Sequence, residues 1–473
     1  MARFLFAATP AAGHVNPAHP LVRALADHGH RVRFTTGRAY EDGVVRAGAE
    51  FVPLPASLDH SLRPIDEILP ERARYSGVKQ FLFDLEHLFI APVADQVRHL
   101  RSLLAEEPAD VLVADTALLA AALVRELGGP PVATFGITAL AFPSVDAAPF
   151  GLGLPPASGL LGRTRNRLLN TFVRTTMFAP SARLLDAQRR AVGLPPRNRT
   201  AVEIGTPPDR FLQLSPSGFE YPRSDLPSWV RFVGHPDPLP PADRARPAWW
   251  DEVTASGRPV LVVTQGTVAT DPAQLLSPAL AGLAAEDVLV VAVTGGADPS
   301  VLEPVPANAR VERYVPFGEL FRHASAVVTN GGFGTVQLAI AHGLPLVVAG
   351  KSEDKAEVSA RVAWSGVGVD LRTQTPSEAQ IRTGVRRVLA EPGFAAAARR
   401  LRDESDGAHA AERAATELLT LANATAHRGE GGAGPQRCDP APRPESRSGL
   451  VAPARRRPGG TGTSGSVSPA DAS

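Results

Sequence analysis

The chain has 473 residues, which is long for one ordinary domain, so two globular domains are expected. Its 49 basic and 48 acidic side chains leave a formal net charge of +1, which excludes a strong global attraction to nucleic acid or anionic lipid. The single cysteine, Cys438, excludes an intrachain disulfide and a cysteine-ligated zinc site. Without an apolar run of about 18 residues, the sequence predicts a soluble, cytoplasmic protein.

The first forty residues alternate between strand and helix patterns. Residues 3–8 form a short apolar run typical of a buried parallel strand. Residues 17–27 carry leucine and valine at helical spacing, and residues 31–36 again have a strand pattern. A β-α-β unit of this kind predicts a parallel sheet.

The same rhythm continues through residues 110–136, where a helix separates two strands. Residues 142–162 are rich in proline, glycine and serine, and they predict an irregular loop. Residues 163–192 predict a helix. We therefore predict a first α/β domain over residues 1–214.

A proline-rich segment divides the chain at residues 215–247, and it is predicted as an interdomain linker. The β/α rhythm resumes beyond it, which predicts a second doubly wound parallel-sheet domain over residues 248–395. Residues 396–424 are predicted as a C-terminal helix, which could pack back on the first domain. Residues 425–473 lack periodicity and predict a disordered tail.

The second domain contains a glycine loop between a strand and a helix, in the sequence VVTNGGFGTVQLAIAHG. Gly331, Gly332 and Gly334 allow close approach of a ligand to the backbone, and Thr335 adds a hydroxyl to the first helical turn. A helix N-terminus attracts anions, so the segment predicts a diphosphate site. The spacing matches neither the dinucleotide nor the Walker motif. The alternative is a tight turn whose glycines serve geometry alone.

Several other side chains follow predicted strands, at the edge where open α/β sheets bind ligands. Each also has an ordinary structural interpretation. His14 could be a loop histidine bonded to backbone, Asp115 a helix N-cap and Tyr314 a core residue. The charged run near Asp354 and Lys355 could be a solvated turn. His19 is interpreted as a surface or packing residue.

The chain resembles the family 1 glycosyltransferases of the GT-B fold, especially bacterial enzymes that glycosylate natural products. The resemblance covers nearly all of the chain except the tail. It is carried by the motifs GHVNP, VTQGT and RYVPF, and by the block from TNGGFGTVQLAIAHGLPLVVAG through EDKAEVSARV to GVGV. It implies two Rossmann-like domains that face a central cleft, with the acceptor on the first domain and the nucleotide sugar on the second.

The resemblance also implies a role for individual residues. His14 corresponds to the catalytic base and Asp115 to the acid that orients it. Thr267 corresponds to a hydroxyl that faces the phosphates, and Asp354 to the acid that holds sugar hydroxyls. The remaining donor-binding positions implied by the resemblance are Tyr314 on the base, Val315 at the base edge, and Asn330, Gly331, Gly332, Gly334, Thr335 and Lys355 around the phosphates and sugar.

Three positions depart from the family pattern. Asn330 stands where the family often has histidine, and Lys355 where it often has glutamine. Leu338 replaces the glutamate that binds ribose in plant relatives, which leaves a thymidine-diphosphate donor as plausible as a uridine-diphosphate donor.

The resemblance implies inverting sugar transfer from a dTDP- or UDP-sugar to a hydroxyl of a hydrophobic small molecule. No metal and no cofactor are expected, and residues 142–162 are the candidate acceptor-lining loop. Other GT-B enzymes remain as alternatives, namely a nucleotide-sugar epimerase or a lipid-linked sugar transferase. A non-catalytic nucleotide-sugar-binding partner subunit is a third alternative, which Asn330 favours.

Overall fold

A computed structural model describes residues 1–75, 77–203, 207–240, 246–266, 271–352 and 354–430. The chain builds two parallel sheets in succession, and Met1–Glu430 forms one contiguous unit. Three predictions fall at least partly outside the described residues: Thr267, residues 241–245 of the predicted linker, and the predicted tail from residue 431 onward.

The first sheet has seven parallel strands among the described residues, in the order β3-β2-β1-β4-β5-β6-β7. Side chains that alternate along β1 enter two different cores: Phe4 and Phe6 pack on one face, Leu5 and Ala7 on the other. Burial on both faces explains the continuous apolar runs in the sequence. The strands are β1 Arg3–Ala7, β2 Arg31–Thr36, β3 Glu50–Pro53, β4 Val111–Asp115, β5 Val132–Gly136, β6 Arg210–Gln213 and β7 Val230–Phe232.

The second sheet has six parallel strands among the described residues, in the order β10-β9-β8-β11-β12-β13. Side chains along β8 also alternate between two cores, with Val260 and Val262 on one face and Leu261 and Val263 on the other. Both sheets are therefore doubly wound, as predicted. The strands are β8 Val260–Thr264, β9 Leu289–Val293, β10 Ala309–Glu312, β11 Ala326–Thr329, β12 Leu346–Val348 and β13 Gly368–Asp370.

Helices cover both faces of the two sheets. The helices of the first half are α1 Ala12–Val15, α2 His19–Asp27, α3 Glu41–Arg46, α4 Ile65–Ile68, α5 Gly77–Asp84, α6 Val93–Glu106, α7 Ala120–Glu126, α8 Leu160–Thr175 and α9 Ala179–Ala191, with a π-helical turn at Leu85–Ile90. The helices of the second half are α10 Trp250–Thr254, α11 Leu276–Leu283, α12 Phe317–Leu320, α13 Phe333–Ala341, α14 Lys355–Trp364, α15 Glu378–Ala390, α16 Pro392–Ser405 and α17 Gly407–Glu430.

Two predicted elements have different bounds in the structure. The single helix predicted over residues 163–192 is two helices, because Pro180 lacks an N–H and begins α9 instead of continuing α8. The predicted linker at 215–247 contributes β7 to the first sheet, where it pairs with β6 at the edge. The crossing between the sheets therefore follows Phe232.

In the part of the chain that the structure describes, two segments cross between the halves, one near Gly234 and one near Ser405, and they lie side by side. A Cβ at Gly234 on the first crossing would lie 1.9 Å from the Ser405 carbonyl oxygen on the second, so only glycine fits there. The Arg413 guanidinium donates to the Val233 carbonyl at 2.7 Å and to Asp406 Oδ2 at 2.7 Å. The two crossings are thus joined by one side chain.

The C-terminal segment predicted as one helix over 396–424 is α16 and α17, separated by Asp406 in the left-handed conformation at φ 44°. Ala398 and Leu401 of α16 pack in the second domain. Ala414 and Leu418 of α17 pack in the core of the first. Among the described residues, every helix is too short or too polar to span a bilayer.

Candidate active site

A cavity of about 1500 Å³ opens between the carboxyl edges of the two sheets. Its walls come from both halves of the chain, with His14 and Asp115 on the first domain and Asn330, Thr335 and Asp354 on the second. This is the edge at which doubly wound sheets bind ligands. The cavity therefore brings together side chains more than 200 positions apart in the sequence.

His14 and Asp115 form a hydrogen-bonded pair in this cavity. Asp115 is the last residue of β4, and its Oδ1 lies 2.9 Å from Nδ1 of His14 on α1. The His14 ring stacks on Phe89, with centroids 5.9 Å apart. Because Nδ1 faces the carboxylate, Nε2 is the nitrogen that can accept a proton from a bound molecule.

Asp115 is held as a carboxylate despite being 1 % exposed. Burial opposes its ionisation, but His14 and the backbone N–H groups of Thr9 and Ala117, both at 2.8 Å, outweigh that effect and lower the pKa of Asp115. The Ala117 contact closes the turn after β4 and is not a helix N-cap, because α7 begins at Ala120 with Leu119 as its N-cap residue. The structure therefore does not support the N-cap interpretation of Asp115.

A second histidine faces the same part of the cavity. His60 lines it, and burial lowers the pKa of His60; Asp59 opposes that shift, while the nearby His14 adds to it. No periodic pattern in the sequence pointed to His60 or Phe89, because both lie in irregular or π-helical segments.

His19 lies on α2, where its ring packs against its neighbours and also lines the cavity. Its ring contacts Phe34 edge-on, with centroids 6.4 Å apart. A Cβ at Gly43 would lie 2.7 Å from His19 Cε1, so the ring fills the space that this glycine leaves. Burial, with a smaller contribution from Arg46, lowers the pKa of His19 to about 4.

The glycine loop of the second domain leads into α13 at the cavity wall. Gly332 is the N-cap residue and offers no side chain to the helix, so the first-turn N–H groups of α13 lack a side-chain cap. Gly332, Gly334 and Thr335 line the cavity. A Cβ at Gly334 would meet no protein atom within 4 Å, so this glycine faces open space.

Gly331 serves a different purpose from Gly332 and Gly334. It is buried with φ +82°, and a Cβ there would lie 2.8 Å from Ser359 Oγ. It therefore turns the chain against α14 and is not part of the cavity wall. For this one glycine, the structure supports the alternative of geometry alone.

Asn330 fixes the glycine loop to the neighbouring strand. Its amide donates to the Gln265 carbonyl after β8, and its Oδ1 accepts from Gly332 N at 3.3 Å. A Cβ at Gly350 would lie only 1.9 Å from the Asn330 carbonyl oxygen, so Gly350 permits this close approach. The departure to asparagine keeps a hydrogen-bonding side chain on the cavity wall.

Asp354 and Lys355 stand at the start of α14, and both line the cavity. Asp354 accepts a hydrogen bond from the Thr138 hydroxyl of the first domain at 2.6 Å. Lys355 is 5 % exposed, and its Nζ lies 3.4 Å from Ser352 Oγ. Thr138 was missed in the sequence, although its position two residues after β5 places it at the ligand-binding edge.

Tyr314 and Val315 separate in the structure. Val315 is 6 % exposed and lines the cavity together with Leu338. Tyr314 is 43 % exposed and lies outside the cavity wall, with its hydroxyl beside Gly296. The structure therefore does not bring Tyr314 to the other predicted donor residues, and it also contradicts the alternative of a core tyrosine.

Residues 277–425 match the family model described as Erythromycin biosynthesis protein CIII-like, C-terminal domain. The chain is 48% identical over 405 residues to 4'-demethylrebeccamycin synthase of Lentzea aerocolonigenes, which covers 85% of this chain and 95% of that protein. The chain belongs to the family 1 natural-product glycosyltransferases of the GT-B fold. It is also 35% identical to UDP-glycosyltransferase 2 of Phaeomoniella chlamydospora, over 89% of this chain and 96% of that protein.

Solved glycosyltransferase structures have the same fold as this chain. The crystal structure of the kitacinnamycin glycotransferase superposes with a TM-score of 0.67 at 22% identity, and covers 89% of this chain and 98% of that one. This likeness confirms the predicted fold class. The curated relatives of the preceding paragraph are the evidence that the chain is a glycosyltransferase enzyme.

Proposed function

We propose that this glycosyltransferase transfers a sugar from a dTDP- or UDP-sugar to a hydroxyl group of a hydrophobic small molecule, with inversion at the anomeric carbon. The observation that carries the proposal is the His14–Asp115 hydrogen bond of 2.9 Å in a cavity whose opposite wall is the N-terminus of α13. One wall offers a base and the other an anion site, as such a reaction needs.

In the proposed step, the acceptor hydroxyl attacks the anomeric carbon from the face opposite the diphosphate. The new C–O bond forms as the bond between the anomeric carbon and the diphosphate oxygen breaks. The hydroxyl proton passes to Nε2 of His14, and Asp115 stabilises the resulting imidazolium through Nδ1. The electron pair leaves with the diphosphate.

The leaving diphosphate gains negative charge in this step. The backbone N–H groups of Gly334 and Thr335, at the first turn of α13, favour that charge without a metal ion. Asn330 Nδ2 carries two N–H groups and uses one on the Gln265 carbonyl, so the second can donate to a phosphate while the side chain also holds the loop. Asp354 is assigned to the sugar hydroxyls, and no metal or other cofactor takes part.

The base of the nucleotide is proposed as uracil or thymine. One relative is named a UDP-glycosyltransferase, which supports uridine. Leu338, on the cavity wall, offers no carboxylate to a ribose hydroxyl, which supports a deoxyribose equally well. The hydrophobic acceptor is supported by Phe89, Phe142 and Phe150, which line the first-domain side.

The experiment is a thermal-shift titration with UDP, TDP, GDP and ADP, followed by single-turnover assays with the sugar form of the preferred nucleotide. Stabilisation by UDP or TDP is expected, because a ligand that binds only the folded state raises its melting temperature. Equal stabilisation by all four nucleotides would contradict the assigned base. Nucleotide-sugar binding without transfer or hydrolysis would favour the alternative of a non-catalytic partner subunit. Because no metal is assigned to the reaction, transfer activity is expected to survive treatment with EDTA.

A further inference from the structure

The tip of an irregular loop of the first domain is hydrogen-bonded to a helix of the second. We call residues 138–153 the clamp loop. Glu357 on α14 accepts hydrogen bonds at Oε1 from Gly151 N at 2.9 Å and from Gly153 N at 2.8 Å. Gly153 has φ +59°, and a Cβ there would lie 2.9 Å from the Ala356 carbonyl oxygen. The loop therefore passes directly over the α14 backbone.

The base of the clamp loop is held by a different segment, which precedes β7. Glu220 accepts from Leu140 N at 2.9 Å, and Arg223 donates to the Leu140 carbonyl at 2.6 Å. Asp225 accepts from Ser144 Oγ at 2.6 Å. Burial lowers the pKa of Arg223 to about 10, which still leaves it a cation at neutral pH.

One buried arginine joins the two anchors. Arg361 Nε donates to Glu220 Oε2 at 2.8 Å, and its Nη1 donates to Glu357 Oε2 at 2.7 Å. The three side chains are between 1 % and 6 % exposed, and the guanidinium lies 4.1 Å from the ring centroid of Tyr221. Burial alone would disfavour the cation, but the two carboxylates outweigh it and raise the pKa of Arg361.

The clamp loop and the start of α14 line adjoining parts of the cavity, and they meet where Thr138 donates to Asp354 at 2.6 Å. Phe142 and Phe150 lie further along the clamp loop, and Asp354 and Lys355 begin α14. Phe150 directly precedes Gly151, one of the two glycines bonded to Glu357. A change in the Glu357 contact would therefore move Phe150 relative to the start of α14.

We propose that Glu357 is a positioning residue that fixes the clamp loop to α14 and thereby sets the affinity for the acceptor. Glu357 reaches the acceptor only through the loop, and it is not among the residues that line the cavity. The assignment of acceptor to one wall and nucleotide to the other rests on the proposed function, but the mechanical link does not.

The first test is amide hydrogen exchange on the full-length protein, in the wild type and in Glu357→Ala and Glu357→Gln. Glu357→Ala removes the carboxylate oxygen that accepts both hydrogen bonds, so the backbone N–H groups of Gly151 and Gly153 are expected to exchange about tenfold faster. Glu357→Gln keeps an oxygen that can accept from these two glycines, so their exchange rate in this variant should lie between the wild-type rate and the Glu357→Ala rate. Unchanged exchange in folded Glu357→Ala would overturn the proposal.

The second test separates positioning from a general loss of structure. The KM for the acceptor is expected to rise by about tenfold in Glu357→Ala, while nucleotide affinity changes by less than about twofold. Equal weakening of acceptor and nucleotide would overturn the proposal. If Glu357→Ala does not fold, because a buried arginine has lost a partner, Glu357→Gln supplies both measurements.

The matched control is Glu391→Ala, which removes an exposed carboxylate paired with Arg387 on α15. It should leave both exchange and KM at wild-type values. Failure of the wild type to bind any nucleotide would overturn the proposed function alone, because the exchange result at Gly151 and Gly153 requires no substrate.

Discussion

The two walls of the cavity are built in different ways. The anion site on the wall of the second domain is built from backbone: Gly332, Gly334 and the first turn of α13 lie within a few residues of one another. The wall of the first domain includes the clamp loop, which depends on side chains far away in sequence, 80 residues for Glu220 and 206 for Glu357. A short glycine segment suits the diphosphate, which is the same in every nucleotide-sugar donor. A loop held by side chains that can be substituted suits the acceptor, which differs from one enzyme to another.

The largest expected effect tests the first-domain wall. His14→Ala should reduce the single-turnover transfer rate by about 10²- to 10⁴-fold, because a positioned general base contributes that much. Nucleotide affinity should stay unchanged, since the nucleotide is assigned to the other wall. The control is His28→Ala, at an exposed histidine of the first domain that is paired with Glu412, and it should retain most of the transfer rate. A wild-type rate in His14→Ala would remove the base from the mechanism.

The next largest effect concerns stability and tests how far the clamp loop depends on its ion pairs. Arg361→Leu leaves Glu220 and Glu357 buried without their cation, so the free energy of unfolding should fall by about 3–5 kcal/mol. Urea denaturation measures it. The control is Arg387→Leu, at an exposed pair, which should cost about 1 kcal/mol or less. Similar losses in the two variants would contradict the view that the first-domain wall is tied by this cluster.

The same contrast explains what could be predicted from the sequence. Both sheets, the glycine loop and the positions of His14 and Asp115 follow from local patterns, since apolar runs and the residues after them mark strand ends. The Glu220–Arg361–Glu357 cluster could not be found in this way, because nothing local tells a buried charge from a solvated one. The exposure of Tyr314 could not be predicted for a related reason: position after a strand does not fix where a side chain points.

A pair of glycine variants tests the second-domain wall. Gly334 has no protein atom near its Cβ position and lies within a helix, so Gly334→Ala should fold with an unchanged or slightly higher melting temperature. A bound diphosphate would meet the new methyl group, and nucleotide affinity should fall by about tenfold. Isothermal titration calorimetry with the preferred nucleotide measures that loss.

Gly350→Ala is the counterpart in that pair. Its Cβ would lie 1.9 Å from the Asn330 carbonyl oxygen, so this variant should lower the melting temperature as well as the affinity. If Gly334→Ala bound nucleotide like the wild type, the open space at Gly334 would have to hold something other than the diphosphate.

The smallest expected effect is the contribution of His19, on the first-domain wall, to the pH dependence of stability. The folded protein holds the pKa of His19 at about 4, whereas the unfolded chain takes up its proton near 6.5. The unfolded state therefore binds more protons between these values, and stability from neutral His19 falls as the pH drops from about 6.5 toward 4. His19→Gln cannot titrate, so its free energy of unfolding should lose about 2 kcal/mol less than the wild type between pH 7 and pH 4.5. His235, whose pKa burial also lowers to about 4, adds a slope in the same direction to both proteins, so only the difference between them reports on His19. Parallel pH profiles would mean that His19 takes up its proton as readily in the folded state as in the unfolded chain, and the buried, packed role of His19 would be wrong.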